Sequence, residues 1–190
     1  MKYALLFCLL PLAAAAAAAP VRYDIESTHS YPTFAVSHFG FSELIGRFNR
    51  TQGFIVLDRE AQRGEIEVSI DAASIDTGLP ARDTVLRSKD FFQVSQYPVL
   101  RFHSTQLRFD KDQPVAADGE LTLTGITLPV ALKIERLTCG RHPYWGRNAC
   151  GAKVTTEFRR SAFGMKYGLP FVGDTIRIRI DLEALESPAD

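Results

Sequence analysis

The chain has 190 residues, 46% hydrophobic and 23% charged, which excludes disorder for most of its length and fits one ordinary domain. Its 22 basic and 22 acidic residues cancel, so no excess charge draws it to nucleic acid. Thirteen phenylalanines against two methionines and one tryptophan point to a large apolar interior or an apolar cavity.

The chain opens with Met1-Lys2, turns apolar from Tyr3 to Leu12, and becomes polyalanine from Ala13 to Ala19. That order of basic, apolar and small residues predicts a secretory signal peptide over residues 1–18. Pro20 disfavours a cut after Ala19, so cleavage is placed after Ala17 or Ala18. No later stretch is apolar long enough to span a bilayer, so no stable membrane insertion is expected after cleavage. Export leaves Cys139 and Cys150 as an even pair in an oxidising compartment, and a disulfide between them is expected.

Residues 21–186 read as one domain. Val21 to Glu26 is a first, edge strand, and Thr33 to Phe39 a short second one. Phe41 to Ile45 reads as a single helical turn, and Phe48 to Leu57 as a longer strand. Asp58 to Gly64 is a hairpin turn, and Glu65 to Asp71 alternates apolar with polar. Ser74 to Gly78 is a strand exit and turn. Pro80 to Lys89 is the one helical stretch. Tyr97 to Phe109 is β-rich, Asp110 to Gly119 a hairpin, and Glu120 to Thr124 a strand with Thr124-Gly125 as its turn. Val130 to Glu135, Lys153 to Phe158 and Thr175 to Leu182 alternate again. About eight strands with short connections imply antiparallel neighbours.

Long amphipathic antiparallel strands form either a sandwich or a closed barrel. A barrel of about eight strands holds its own side chains or one small ligand. Alternation turns Phe34, Phe54, Phe102 and Phe158 inward, with Val36 and His38 on the face of Phe34. The interior is therefore apolar, and both a filled core and a hollow tube fit it. Phe91 and Phe92 beside the helix form a plug or anchor a loop. Arg82 and Asp83 either order that connection or meet a polar head group.

Chemistry-bearing motifs are sparse. No Gly-x-Ser-x-Gly elbow accompanies Ser30 or Ser37 and their neighbours His29 and His38. The histidines, His29, His38, His103 and His142, lack ligand spacing, and no metal is expected. No glycine-rich phosphate loop is present. Asp110 and Asp112 sit in a hairpin and read as solvated.

Several strings, taken in order, resemble one family. They are Tyr23-Asp24-Ile25-Glu26-Ser27-Thr28-His29-Ser30; Phe34-Ala35-Val36-Ser37-His38-Phe39-Gly40; Gly46-Arg47-Phe48; Ser74-Ile75-Asp76-Thr77-Gly78 with Arg82-Asp83; Leu86-Arg87-Ser88-Lys89-Asp90-Phe91-Phe92 with Tyr97-Pro98; Leu121 to Thr127; Arg160 to Gly164; and Val172-Gly173-Asp174. Order and spacing are similar to the YceI family of polyisoprenoid-binding proteins. The segment bracketed by Cys139 and Cys150 lies outside that pattern.

The resemblance implies an all-β fold: a single extended, lipocalin-like antiparallel barrel with one short helix, in the bacterial periplasm. It implies a non-catalytic protein, without a cofactor, that holds a polyisoprenoid lipid or an isoprenoid quinone. Phe34, Val36, His38, Phe54, Phe91, Phe92, Phe102 and Phe158 are then the candidate ligand contacts. Arg82 and Asp83 are the candidate head-group contacts, and a homodimer is expected. A hydrolase or isomerase using the same cavity, and a barrel with a filled core, are the alternatives.

Overall fold

The computed structural model describes residues 19–188. The expected signal peptide over residues 1–18 lies outside the described residues. Among those described, the strands are β1 (Val21–Ile25), β2 (Tyr31–His38), β3 (Ser42–Phe48), β4 (Thr51–Asp58), β5 (Arg63–Asp71), β6 (Ile75–Asp76), β7 (Val99–Asp110), β8 (Gln113–Leu123), β9 (Ile126–Arg141), β10 (Asn148–Arg159) and β11 (Thr175–Glu186). The one α-helix, α1, spans Pro80–Arg87. Proline at its first position suits a site where the backbone N–H has no partner in any helix.

Eight strands close a ring: β1, β4, β5, β7, β8, β9, β10 and β11 pair antiparallel in that order, and β11 returns to β1. The barrel closes twice along β11. Toward the C-terminal end of β11, Ala184, Leu185 and Glu186 pair with Ile25, Asp24 and Tyr23 of β1. Nearer its start, Arg177 to Asp181 pair with Ala35 to Tyr31 of β2. β2 carries β3, and β3 meets β6 through only two residue pairs, Arg47 with Asp76 and Phe48 with Ile75. The β2–β3 turn, α1, the β8–β9 turn and residues 164–173 gather at one end, called the upper end here. The hairpins at 58–63, 110–113 and 141–148 form the lower end.

Three expectations are corrected. Residues 41–45 are not helical: Ser42–Phe48 is a strand hairpinned to β2 through a turn in which Phe39 and Gly40 take φ of 53° and 74°. Adjacent apolar Leu44 and Ile45 mimic a helical face, yet Leu44, Gly46 and Phe48 form one face of a strand. The run from Phe48 to Leu57 breaks at Asn49 and Arg50 into two strands. β1 is an interior member of the ring rather than an edge, since it pairs with both β4 and β11.

Filling is uneven along the barrel. Leu57, Ala117, Cys150, Val154 and Ala184 are buried in its lower part. Small residues such as Ala117 and Ala184 let the walls approach there, as close packing demands. Cys139 and Cys150 face each other across β9 and β10 and form a disulfide with an S–S distance of 2.04 Å.

Candidate ligand cavity

The upper part of the barrel is hollow. A cavity of about 300 Å³ lies there, at the small end of the roughly 300–1,000 Å³ typical of ligand pockets. Its wall follows from the period-two patterning. Phe34 and Val36 of β2, Val68 and Ile70 of β5, Leu100 and Phe102 of β7, and Leu121 and Leu123 of β8 face it. Val130 and Leu132 of β9, Thr156 and Phe158 of β10, and Ile176, Ile178 and Ile180 of β11 complete the circle. Two glycines shape the wall. The Phe34 ring occupies the space a side chain at Gly46 needs, and the Phe102 ring does the same at Gly119.

Aromatic contacts roof the cavity. Phe92 meets Phe48 edge-on at 5.5 Å, Phe48 lies 6.0 Å from Phe34, and Phe91 meets Tyr167 edge-on at 5.7 Å. These are favourable centroid separations for aromatic pairs. Hydrogen bonds fix α1 above the barrel: the Arg87 guanidinium donates to the carbonyls of Ala73 (2.9 Å) and Ile75 (2.7 Å). His38 lies at the mouth, half-buried, with its ring edge-on to Phe39 at 4.6 Å.

The loop over the rest of the mouth hangs on Arg160, which is 3% exposed. Its guanidinium donates to four carbonyls: Gly173 at 2.8 Å and Met165, Tyr167 and Val172 at 2.9 Å each. Burial pushes its pKa down, and the Asp174 carboxylate opposes that shift. Burial pushes the Asp174 carboxyl up. Hydrogen bonds from the Ser161 N–H and hydroxyl and from Arg159 outweigh it and hold Asp174 below the usual aspartate value.

Seven of the eight candidate contacts border the cavity: Phe34, Val36, His38, Phe91, Phe92, Phe102 and Phe158. Phe54 does not. It pairs with Glu67 on the outer face of the barrel, and the Arg22 guanidinium lies 3.6 Å above its ring. Apolar residues stand on both faces of β4, so alternation alone gave Phe54 the wrong side. Asp83 is also no head-group contact: its carboxylate is buried and accepts from the Thr77 N–H (2.9 Å) and hydroxyl (2.6 Å). Arg82 borders the mouth, but its guanidinium donates to Thr77 as well.

Arg160, Met165, Tyr167 and Val172 border the cavity and were absent from the candidate contacts. They belong to a segment without alternation, so periodicity carries no signal there. The hydrolytic pairing has no geometric basis: Ser37 is exposed while His38 borders the cavity, as neighbours on a strand must diverge. Ser30 is buried and exchanges hydrogen bonds with the backbone of Glu183. His29, His103 and His142 stand beside Glu26, Glu67 and Glu183 respectively, all away from the cavity. Among the described residues, no cluster of three or more His, Cys, Asp or Glu is placed to hold a metal ion.

Comparison with known proteins places this geometry. The model of the YceI-like domain matches residues 23–184. A UPF0312 protein of Shewanella denitrificans is 32% identical over 183 residues, covering 96% of this chain and 95% of that one. The crystal structure of Burkholderia cenocepacia BcnA superposes with a TM-score of 0.70 at 21% identity, over 84% of this chain and 99% of the other. A polyisoprenoid binding domain from Saccharophagus degradans, implicated in plant cell wall breakdown, gives a TM-score of 0.65 at 18% identity, over 87% and 98%. At these identities the two structures speak for the fold alone.

Proposed function

The chain belongs to the YceI family, and from that premise we propose that it is a non-catalytic carrier of a polyisoprenoid lipid or isoprenoid quinone. The prenyl tail occupies the upper cavity. The carrying observation is the wall itself: strand after strand turns Val, Leu, Ile and Phe toward the space, joined by Pro32 of β2, and Thr156 is the one polar residue among the strand positions below the mouth.

Each buried methylene or methyl contributes about 0.8 kcal/mol, so one five-carbon prenyl unit contributes nominally about 4 kcal/mol. Three units supply a nominal total of about 12 kcal/mol, the scale of nanomolar binding before ordering costs are subtracted. An apolar wall of this kind needs no head-group recognition to hold a chain. The catalytic alternative lacks support of the same kind, because among the described residues His38 has no serine or carboxylate partner at the mouth.

On this reading the protein acts in the periplasm after removal of residues 1–18, and N-terminal sequencing of the mature chain checks that processing. The function is tested by purifying the exported protein without detergent, extracting it with organic solvent and analysing the extract by mass spectrometry. A stoichiometric prenyl lipid or quinone is expected. An empty protein that takes up neither polyprenol nor quinone overturns the reading.

A further inference from the structure

The upper end carries a feature that lipid binding alone does not require. Four aromatic side chains stand out into solvent around the cavity mouth: Phe39 at 53% exposure, Phe41 at 95%, Tyr167 at 60% and Phe171 at 64%. They come from two loops, the β2–β3 turn and residues 164–173. The loops are locked together, because the Phe39 N–H donates to the Phe171 carbonyl at 2.7 Å and the two rings stack at 5.8 Å. Next to them in the chain, His38 and Val172 bridge and border the mouth. Exposed apolar clusters of this kind mark an interaction surface.

We propose that this collar docks the barrel on a lipid bilayer, with the mouth facing the leaflet. Phe39, Phe41, Tyr167 and Phe171 enter the interfacial layer, where aromatic rings are favoured. The proposal rests on the lipid-carrier reading and deepens it by naming the surface from which cargo enters. A prenyl chain is nearly insoluble in water, and a mouth held at the leaflet lets it pass without crossing the aqueous phase. The collar is continuous with the cavity, since Tyr167 belongs to both. Lys166 beside Tyr167 is exposed and forms no ion pair among the described residues, which suits the phosphate layer just above the rings. A second copy fits less well, because burying the collar against itself sets mouth on mouth and seals both cavities.

The test is flotation of the full mature chain with phosphatidylcholine and phosphatidylglycerol vesicles, alongside titration with farnesol, a short prenol added from a dilute ethanol stock. Phe41→Ser/Phe171→Ser removes two collar rings that do not border the cavity. Tyr144→Ser, in the aromatic hairpin at the lower end, serves as the control. The wild type and Tyr144→Ser are expected to float, and the double variant is expected to lose flotation by roughly tenfold or more while binding farnesol unchanged. Equal flotation of the double variant, or none for the wild type, overturns docking. A wild-type dimer that the double variant converts to monomer, without flotation of either, overturns it in favour of a second copy. Flotation without farnesol binding leaves docking standing and refutes the lipid-carrier reading instead.

Discussion

The phenyl ring of Phe34 lies against Gly46, its partner across β2 and β3: a methyl group placed on Gly46 stands 2.7 Å from Phe34 Cε1 and 2.8 Å from Thr77 Cγ2. The neighbours that must yield are side chains rather than backbone. Gly46→Ala therefore swings the Phe34 ring into the cavity and narrows it. The expected outcome is weaker uptake of a prenyl ligand together with a stability loss of about 1–3 kcal/mol. Ligand titration and chemical denaturation measure the two effects separately.

Filling the cavity distinguishes a binding site from a packing defect. Ile178 lies mid-strand on β11 and faces the empty space. Ile178→Trp is expected to abolish prenyl binding at a stability change smaller than about 2 kcal/mol, because the space receives the ring. Solvent extraction of this variant should yield no lipid. Retained lipid at wild-type stoichiometry contradicts the assigned cavity.

The disulfide joins residues eleven apart that already face each other in the β9–β10 ladder. Its loop-closure contribution is about 3 kcal/mol. Cys139→Ala/Cys150→Ala should lower Tm by about 6–12 °C for a chain of this size. Prenyl binding should stay unchanged, since neither cysteine borders the cavity.

Arg160 carries the loop over the mouth through four carbonyls on different residues. A lysine keeps the charge but lacks the planar fork that reaches them all. Arg160→Lys is expected to cost about 2–4 kcal/mol by leaving buried acceptors unpaired. Calorimetry should show the drop, and protease should cut within residues 164–173 before it cuts the barrel strands.

Acid should act on the same loop through Asp174. Its folded-state pKa lies below the ordinary value of 3.8, so its stabilising contribution is complete above that value. The contribution disappears as pH falls through the lower, folded-state pKa. The Tm gap between wild type and Asp174→Asn should therefore be constant near neutral pH and close under strongly acidic conditions. A gap that widens on acidification contradicts the assignment.

Much of the barrel was legible because its signal is periodic. The alternations in Glu65–Asp71, Lys153–Phe158 and Thr175–Leu182 gave strand, direction and dry face together, and the short turns gave the antiparallel order. Alternation failed where both faces of a strand are covered. Arg22 packed on Phe54 makes the outer face of β4 look like an inner one. It failed again at Leu44 and Ile45, where an inward and an outward residue are both apolar. The roof was hardest to read, because the Arg160 network is built from backbone carbonyls that any sequence supplies. The choice between filled and hollow was also out of reach: Ala117 and Ile178 both turn inward, and only the closeness of the walls makes one a floor and the other a lining.

The double closure along β11 gives the molecule two seams of unequal strength. The eight-strand ring is continuous through β1, which closes on β11 through three residue pairs. The upper wall instead ends at β6, which pairs with β3 through two residue pairs. Subglobal opening follows the least-bonded unit, and β6 is joined to β3 by fewer pairs than β2 is to β11. In hydrogen exchange, amides at this join should exchange ahead of those in the β10–β11 ladder. Opening this seam breaks the Arg47–Asp76 and Phe48–Ile75 pairs together with the bond from the Asn49 N–H to the Ser74 carbonyl and the edge-on Phe48–Phe92 contact.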